Sequence, residues 1–209
     1  MAGIPSPVAT IVSGDFYAAL KIKPVRIIDN TKEDTLVEEV ASVDDESIRK
    51  AVKKVALFDR EGKPRDMDFL ATELSVMHVA KHTHVMHMDS FTYCENYLAI
   101  TMPLCSGGSL GRMLDSLTIE QTERYFVQIT CALRYLHDND IVHGDVKPGN
   151  ILVDAADNAI LADFGHAQLM KGGQEVGSRW GGTRGFQAPE YFTSNSFNLY
   201  LVSTFLSFL

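Results

Sequence analysis

The sequence predicts an α+β chain of two lobes, a small β-rich one followed by a helical one. Short β-prone runs occupy residues 25–28, 35–40, 50–57 and 97–102. A glycine-rich break, Ser106-Gly107-Gly108-Ser109-Leu110, comes next. Beyond it, Thr118-Ile119-Glu120-Gln121 has the form of a capping box. The helix it opens carries Phe126, Ile129, Leu133 and Leu136 on one stripe.

Taken in order, residues 1–24 read as an irregular lead. The run 50–57 alternates apolar and basic residues, as a half-buried strand does. Gly62-Lys63-Pro64 is a turn, and 67–80 reads as a helix with Phe69, Leu70, Leu74, Met77 and Val79 as its apolar positions. The strand at 97–102 stops at Pro103. The acidic residues Glu38, Glu39, Asp44, Asp45 and Glu46 read as a solvated loop. His78, His82, His84 and His87 read as structural, because no cysteine or paired carboxylate completes a metal tetrad.

The chain has 209 residues, the size of one domain or slightly more. Hydrophobic content of 45% and charged content of 22% are ordinary for a globular protein. A formal net charge of −8 argues against nucleic-acid or anionic-membrane binding, which needs a basic face. Cys94, Cys105 and Cys131 show no CxxC spacing, and the N-terminus lacks a basic start before an apolar core. Both point to an intracellular protein, cytoplasmic or nuclear. The apolar stretch 197–209 is shorter than the roughly 20 residues of a membrane span, so no membrane partner is expected.

The most specific stretch is Ile141-Val142-His143-Gly144-Asp145-Val146-Lys147-Pro148-Gly149-Asn150, followed by Asp163-Phe164-Gly165. An Asp, a Lys two residues on, an Asn five residues on and a later Asp before Gly make a phosphoryl-transfer layout. Asn and Asp oxygens are the hard ligands that Mg2+ prefers. The run resembles the eukaryotic protein kinase pattern H-R-D-L-x-x-x-N with D-F-G, with Gly144 in place of Arg and Val146 in place of Leu. Ala51-Val52-Lys53 resembles that family's V-A-I-K strand, and Glu73 stands on a segment resembling its αC helix. Gly182-Thr183 through Ala188-Pro189-Glu190 resembles the end of its activation segment.

The resemblance implies transfer of the γ-phosphoryl of ATP to protein Ser or Thr, with ATP and Mg2+ as cofactors. Asp145 would be the hydroxyl-orienting base and Lys147 the γ-phosphate contact. Lys53 would hold the α- and β-phosphates and pair with Glu73, and Asn150 and Asp163 would bind metal. Met102 would be the gatekeeper, with Pro103, Leu104 and Cys105 as the adenine-reading hinge. His143 would pack beneath the Asp163-Phe164-Gly165 turn. Lys147 and Thr183 resemble the serine/threonine branch.

The family's phosphate-covering loop falls at Asn30-Thr31-Lys32-Glu33-Asp34-Thr35 by spacing from Lys53, without glycine and with two acids that would repel phosphate. A second register uses Ser13-Gly14-Asp15-Phe16 with an insertion of about twenty residues before Lys53. The expected organisation is a lead at 1–24, an N-lobe with hinge at 25–105, a partial C-lobe at 106–192 and an atypical apolar tail at 193–209. After Glu190 the chain departs from the family pattern. A C-terminally truncated kinase with an incomplete helical lobe, impaired turnover and chaperone association is therefore the expectation. A non-catalytic kinase-like interaction module and an unstable fragment are the alternatives.

Overall fold

The computed structural model describes residues 8–12, 14–65, 67–170 and 182–187. Ser178, Ala188-Pro189-Glu190 and the expected tail at 193–209 lie outside the described residues. The chain divides into two compact units, residues 1–67 with 87–104 and residues 68–86 with 105–209.

The first unit is built on a six-stranded sheet. Its strands are β1 (Val8–Ile11), β2 (Ile22–Asp29), β3 (Thr35–Ser42), β4 (Arg49–Ala56), β5 (Ser90–Tyr93) and β6 (Tyr97–Pro103), in the order β1-β5-β6-β4-β3-β2. All pairings are antiparallel except β1 with β5. The lead expected to be irregular thus supplies an edge strand. It also supplies a short helix, α1 (Phe16–Ala19), opened by Asp15, whose Oδ1 accepts from the Tyr17 N–H at 2.9 Å.

Strand alternation sends Lys53 and Lys54 to opposite faces of the sheet. On the Lys54 side, Val40, Val52, Cys94 and Ala99 are buried together with Phe16. Lys54 Nζ donates to the Tyr17 hydroxyl at 2.5 Å, lies 2.8 Å from Glu38 Oε2 and sits 4.2 Å from the Tyr17 ring centroid. Burial opposes the Lys54 charge, but Glu38 and Tyr17 outweigh it and hold its pKa above the ordinary lysine value.

Glu38 and Glu39 are therefore not in a solvated loop; both are buried strand residues. Register is the reason. Glu39 lies directly across from Arg26 of β2 and accepts from its Nε at 2.6 Å and from Arg49 Nη1 at 3.3 Å. Lys54→Met should leave Glu38 as a buried carboxylate without its cation and cost about 2 kcal/mol. Lys54→Met with Glu38→Met should cost less than about 1 kcal/mol. Urea unfolding of the two variants checks this, and equal losses would disprove the pairing.

β2 and β3 form a hairpin whose connection is 30–34, the first of the two registers expected for the phosphate-covering loop. The expected repulsion by its acids is offset. Asp34 Oδ2 pairs with Arg65 at 3.2 Å, and Glu33 pairs with Arg60. The loop is also tied to the sheet by Ala56 N–H, which donates to the Asp34 carbonyl at 2.8 Å.

The second unit carries α2 (Asp68–Val79), β7 (Gly108–Ser109), two 3-10 turns at Leu110–Arg112 and Leu114–Ser116, and α3 (Ile119–Asp138). β8 (Ile141–Val142), a 3-10 turn at Pro148–Asn150, β9 (Ile151–Val153), β10 (Ala159–Leu161) and β11 (Gln168–Leu169) follow. β9 pairs with both β10 and β7, and β11 pairs with β8. The expected first lobe, 25–105, includes α2, yet α2 and the segment after it belong to this second unit. Hydrogen bonds explain it. Met86 N–H donates to the Leu161 carbonyl at 2.8 Å, and Leu161 N–H donates to the His84 carbonyl at 2.9 Å. Lys81 N–H donates to the Tyr135 hydroxyl of α3 at 2.7 Å, and the His82 ring stacks on Tyr135.

α2 buries Leu70, Glu73, Val76 and Met77, while Phe69 and Val79, read from the sequence as apolar positions, are exposed. α3 begins with the expected capping box. Gln121 N–H donates to Thr118 Oγ1 at 3.1 Å, and Thr118 N–H donates to Gln121 Oε1 at 3.2 Å. Its buried stripe is Tyr125, Ile129, Ala132, Leu133 and Leu136, with Phe126 only half-buried. Tyr125 replaces Phe126 because its hydroxyl finds Asp157 in the β9–β10 turn, so the larger polar-tipped ring can go inside.

Candidate active site

The site is built where β8 leaves α3. The chain passes through 143–147, makes the 3-10 turn at Pro148–Asn150, and enters β9. Proline at the first position of that turn suits its fixed φ. Asn150 N–H donates to the Lys147 carbonyl at 2.9 Å, and Ala162 N–H donates to the Asn150 carbonyl at 2.9 Å. The loop is thereby tied to the strand end that precedes Asp163.

Asp145 is buried and surrounded by donors. Lys147 Nζ donates to its Oδ2 at 2.7 Å, and Asn150 Nδ2 donates to the same oxygen at 3.0 Å and to the Asp145 carbonyl at 2.8 Å. Thr183 N–H donates to Oδ1 at 2.7 Å, and Lys147 Nζ reaches Thr183 Oγ1 at 2.5 Å. Burial pushes the Asp145 pKa up, but the Lys147 ammonium and the Thr183 donors outweigh it and hold the carboxyl below the usual aspartate range. The group is ionised at neutral pH.

His143 is fully buried and stacks on Phe164, ring centroids 5.0 Å apart. Its Nδ1 accepts from the Asp145 N–H at 3.2 Å. Its Nε2 therefore carries the proton and donates to the Ala162 carbonyl at 3.0 Å. Burial pushes its pKa down, which keeps it neutral in this role. Asp163 follows with φ +63, a left-handed backbone that non-glycine residues adopt rarely and mainly at constrained sites.

Three of the residues named from the sequence, Asp145, Lys147 and Asn150, are thus joined by direct hydrogen bonds. Glu73 is buried on α2 in the same unit. Lys53 lies mid-strand on β4, opposite Ile100, and Met102 lies near the end of β6, opposite Ala51. Leu104 is the last residue of the first unit, and Cys105 belongs to the second. Burial pushes the Cys105 thiol up to about 12, so it is unreactive.

Thr183 is the residue whose part the sequence reading missed. The local motif marks only its branch resemblance, whereas the fold brings it across 38 residues onto Asp145. Thr183→Ala keeps the backbone bond to Asp145 and removes only the Oγ1 contact with Lys147. If the chain transfers phosphate as its motif implies, the variant should lower turnover about tenfold while leaving Mg·ATP affinity unchanged, because the side chain positions the loop rather than the nucleotide. A matched fall in nucleotide affinity, measured by calorimetry, would contradict that role.

The protein kinase domain model matches residues 19–201. The chain is 31% identical over 134 residues to the serine/threonine-protein kinase ULK3 of Xenopus laevis, covering 62% of this chain and 28% of that protein. It is 28% identical over 173 residues to the CBL-interacting serine/threonine-protein kinase 16 of Arabidopsis thaliana, covering 77% and 36%. It is 33% identical over 153 residues to the serine/threonine-protein kinase ppk6 of Schizosaccharomyces pombe, covering 69% and 20%. The chain spans from a fifth to just over a third of the length of these relatives. With its α+β fold and a match over most of its length, the chain belongs to the protein kinase family, in the serine/threonine branch.

Proposed function

We propose that this chain transfers the γ-phosphoryl group of ATP to Ser or Thr hydroxyls of protein substrates. The observation that supports it most is the donor-saturated Asp145 carboxylate, ionised and fixed by Lys147, Asn150 and Thr183. Its depressed pKa makes it a weak base. That suits a transition state in which orienting the acceptor hydroxyl matters more than early proton removal. Asp145 then takes the hydroxyl proton as the new P–O bond forms and ADP leaves.

The donor set fits Mg2+. Asn150 commits its Nδ2 to Asp145, which leaves Oδ1 as a hard oxygen, and Asp163 supplies a carboxylate. Held by Asn150 and Asp163, the ion would supply positive charge against the charge that develops during transfer. In this reading Lys53 binds the α- and β-phosphates with Glu73 as its carboxylate partner. Lys147 faces the γ-phosphate, Met102 is the gatekeeper, and Leu104 and Cys105 present backbone groups to adenine. The protein would work in a reducing intracellular compartment, consistent with free Cys94, Cys105 and Cys131.

A second reading, a kinase-like interaction module without turnover, is favoured by one feature: the 30–34 loop has no glycine with which to close its backbone over phosphates. Thermal shift with Mg·ATP, together with phosphate transfer to a generic Ser/Thr substrate, separates the two. Transfer that Lys53→Met abolishes supports the enzyme. No stabilisation and no transfer supports the module.

A further inference from the structure

The short segment 182–187 is a built turn beside the Asp145 carboxylate. Phe186 N–H donates to the Thr183 carbonyl at 3.1 Å, and Gly185 has φ +94. A positive φ at the third residue of a closed four-residue turn is the type II form, with Arg184 at its second position. One end of the turn is fixed, since Thr183 binds both Asp145 and Lys147. Arg184 therefore directly follows the residue that is bound to the group that orients the acceptor.

Arg184 is exposed and makes no ion pair among the described residues. It is the only charged residue of Gly182-Thr183-Arg184-Gly185-Phe186-Gln187. The adjoining loop adds no carboxylate beyond Asp145, because residues 146–149 are Val, Lys, Pro and Gly. The Lys147 ammonium is already committed to Asp145 and Thr183. A peptide that brings a hydroxyl to Asp145 meets a guanidinium carried on a held backbone turn, without an ion-pair partner among the described residues, and no carboxylate on the turn itself.

We propose that Arg184 selects acceptor Ser or Thr residues flanked by an anionic group, the carboxylate of Asp or Glu or the phosphate of a residue already phosphorylated. The guanidinium fork matches both, and phosphate, with a charge near −2, gains more. The proposal rests on the kinase reading for its place in catalysis, but charge selection by the turn can be read without turnover.

The test uses Ser peptides flanked by Asp, phosphoserine, Ala or Lys, measured for binding by fluorescence anisotropy at low and high salt and for phosphate transfer. The Asp-flanked peptide should bind about fivefold tighter than the Ala-flanked one, and the phosphoserine peptide tighter still. High salt should shrink the difference. Arg184→Ala should erase the preference, and Arg184→Glu should shift it toward Lys flanks. Asp and phosphoserine peptides gaining together identify acidic sequence as the ligand, and a gain confined to phosphoserine identifies a primed substrate. Equal binding of all four peptides, or an acidic preference unchanged in Arg184→Glu, overturns the proposal whether or not transfer occurs. If no peptide accepts phosphate while the Arg184-dependent binding preference remains, the kinase reading falls and the anion site stands.

Discussion

Asp145→Ala is expected to cut phosphoryl transfer about a thousandfold while Mg·ATP affinity stays within about twofold. Asp163→Ala should instead remove measurable Mg·ATP binding. The two carboxylates divide the work by environment. Asp145 is saturated by Lys147, Asn150 and Thr183, so its negative charge is already balanced within the protein. Asp163 lies in left-handed backbone at the end of the strand to which the catalytic loop is tied through Asn150. Because Asp145 titrates below the ordinary aspartate value of about 3.9, its ionised form persists over the whole neutral range. Any stability it contributes is present above that ordinary value and is lost as pH falls through its lower folded value. No acid limb of activity near pH 5 to 6 should therefore trace to it, and such a limb surviving in the Thr183→Ala variant would have to come from another group. If Asp163→Ala leaves Mg·ATP affinity unchanged while Asp145→Ala removes it, the assignment of roles is wrong.

How much of this could be read from the sequence depended on the range of the interactions involved. Lys147 and Asn150 reach Asp145 across two and five residues, so motif spacing alone put them together. The capping box at Thr118 and Gln121 is equally local, and β6 ends where Pro103 removes a donor. Features set by distant partners were not legible. Glu38 and Glu39 look like solvent charge until the register of β2, β3 and β4 brings Arg26, Arg49 and Lys54 across to them. α1 has four residues, too few for a periodic signal, and is held by Phe16 and Tyr17 packing on the sheet. The grouping of 68–86 with the second unit is equally non-local, since its hydrogen bonds run to Tyr135 and Leu161, far along the chain.

Gly144→Ala is expected to destabilise the protein by about 4 kcal/mol, lowering its melting temperature by roughly 10 °C. In the sequence, Gly144 reads only as the absence of the family's arginine. In the fold it is a requirement of this loop. Its φ is +81, which costs a side chain conformational strain, and a Cβ there would lie 2.3 Å from the His166 carbonyl oxygen. That oxygen is backbone and cannot swing aside. Gly185 is the natural control: its φ is +94, yet a Cβ there meets nothing within 4 Å among the described residues. Gly185→Ala should cost only the strain, about 1–2 kcal/mol. Equal melting temperatures for the two variants would refute the close-packing argument. The same geometry bears on regulation. With glycine at 144, the residue that directly precedes Asp145 offers no guanidinium to receive a phosphate from the activation segment. Phosphatase treatment should then leave turnover within about twofold. A large phosphatase-sensitive activation traced to Ser178 would show that another cation has taken the missing arginine's place.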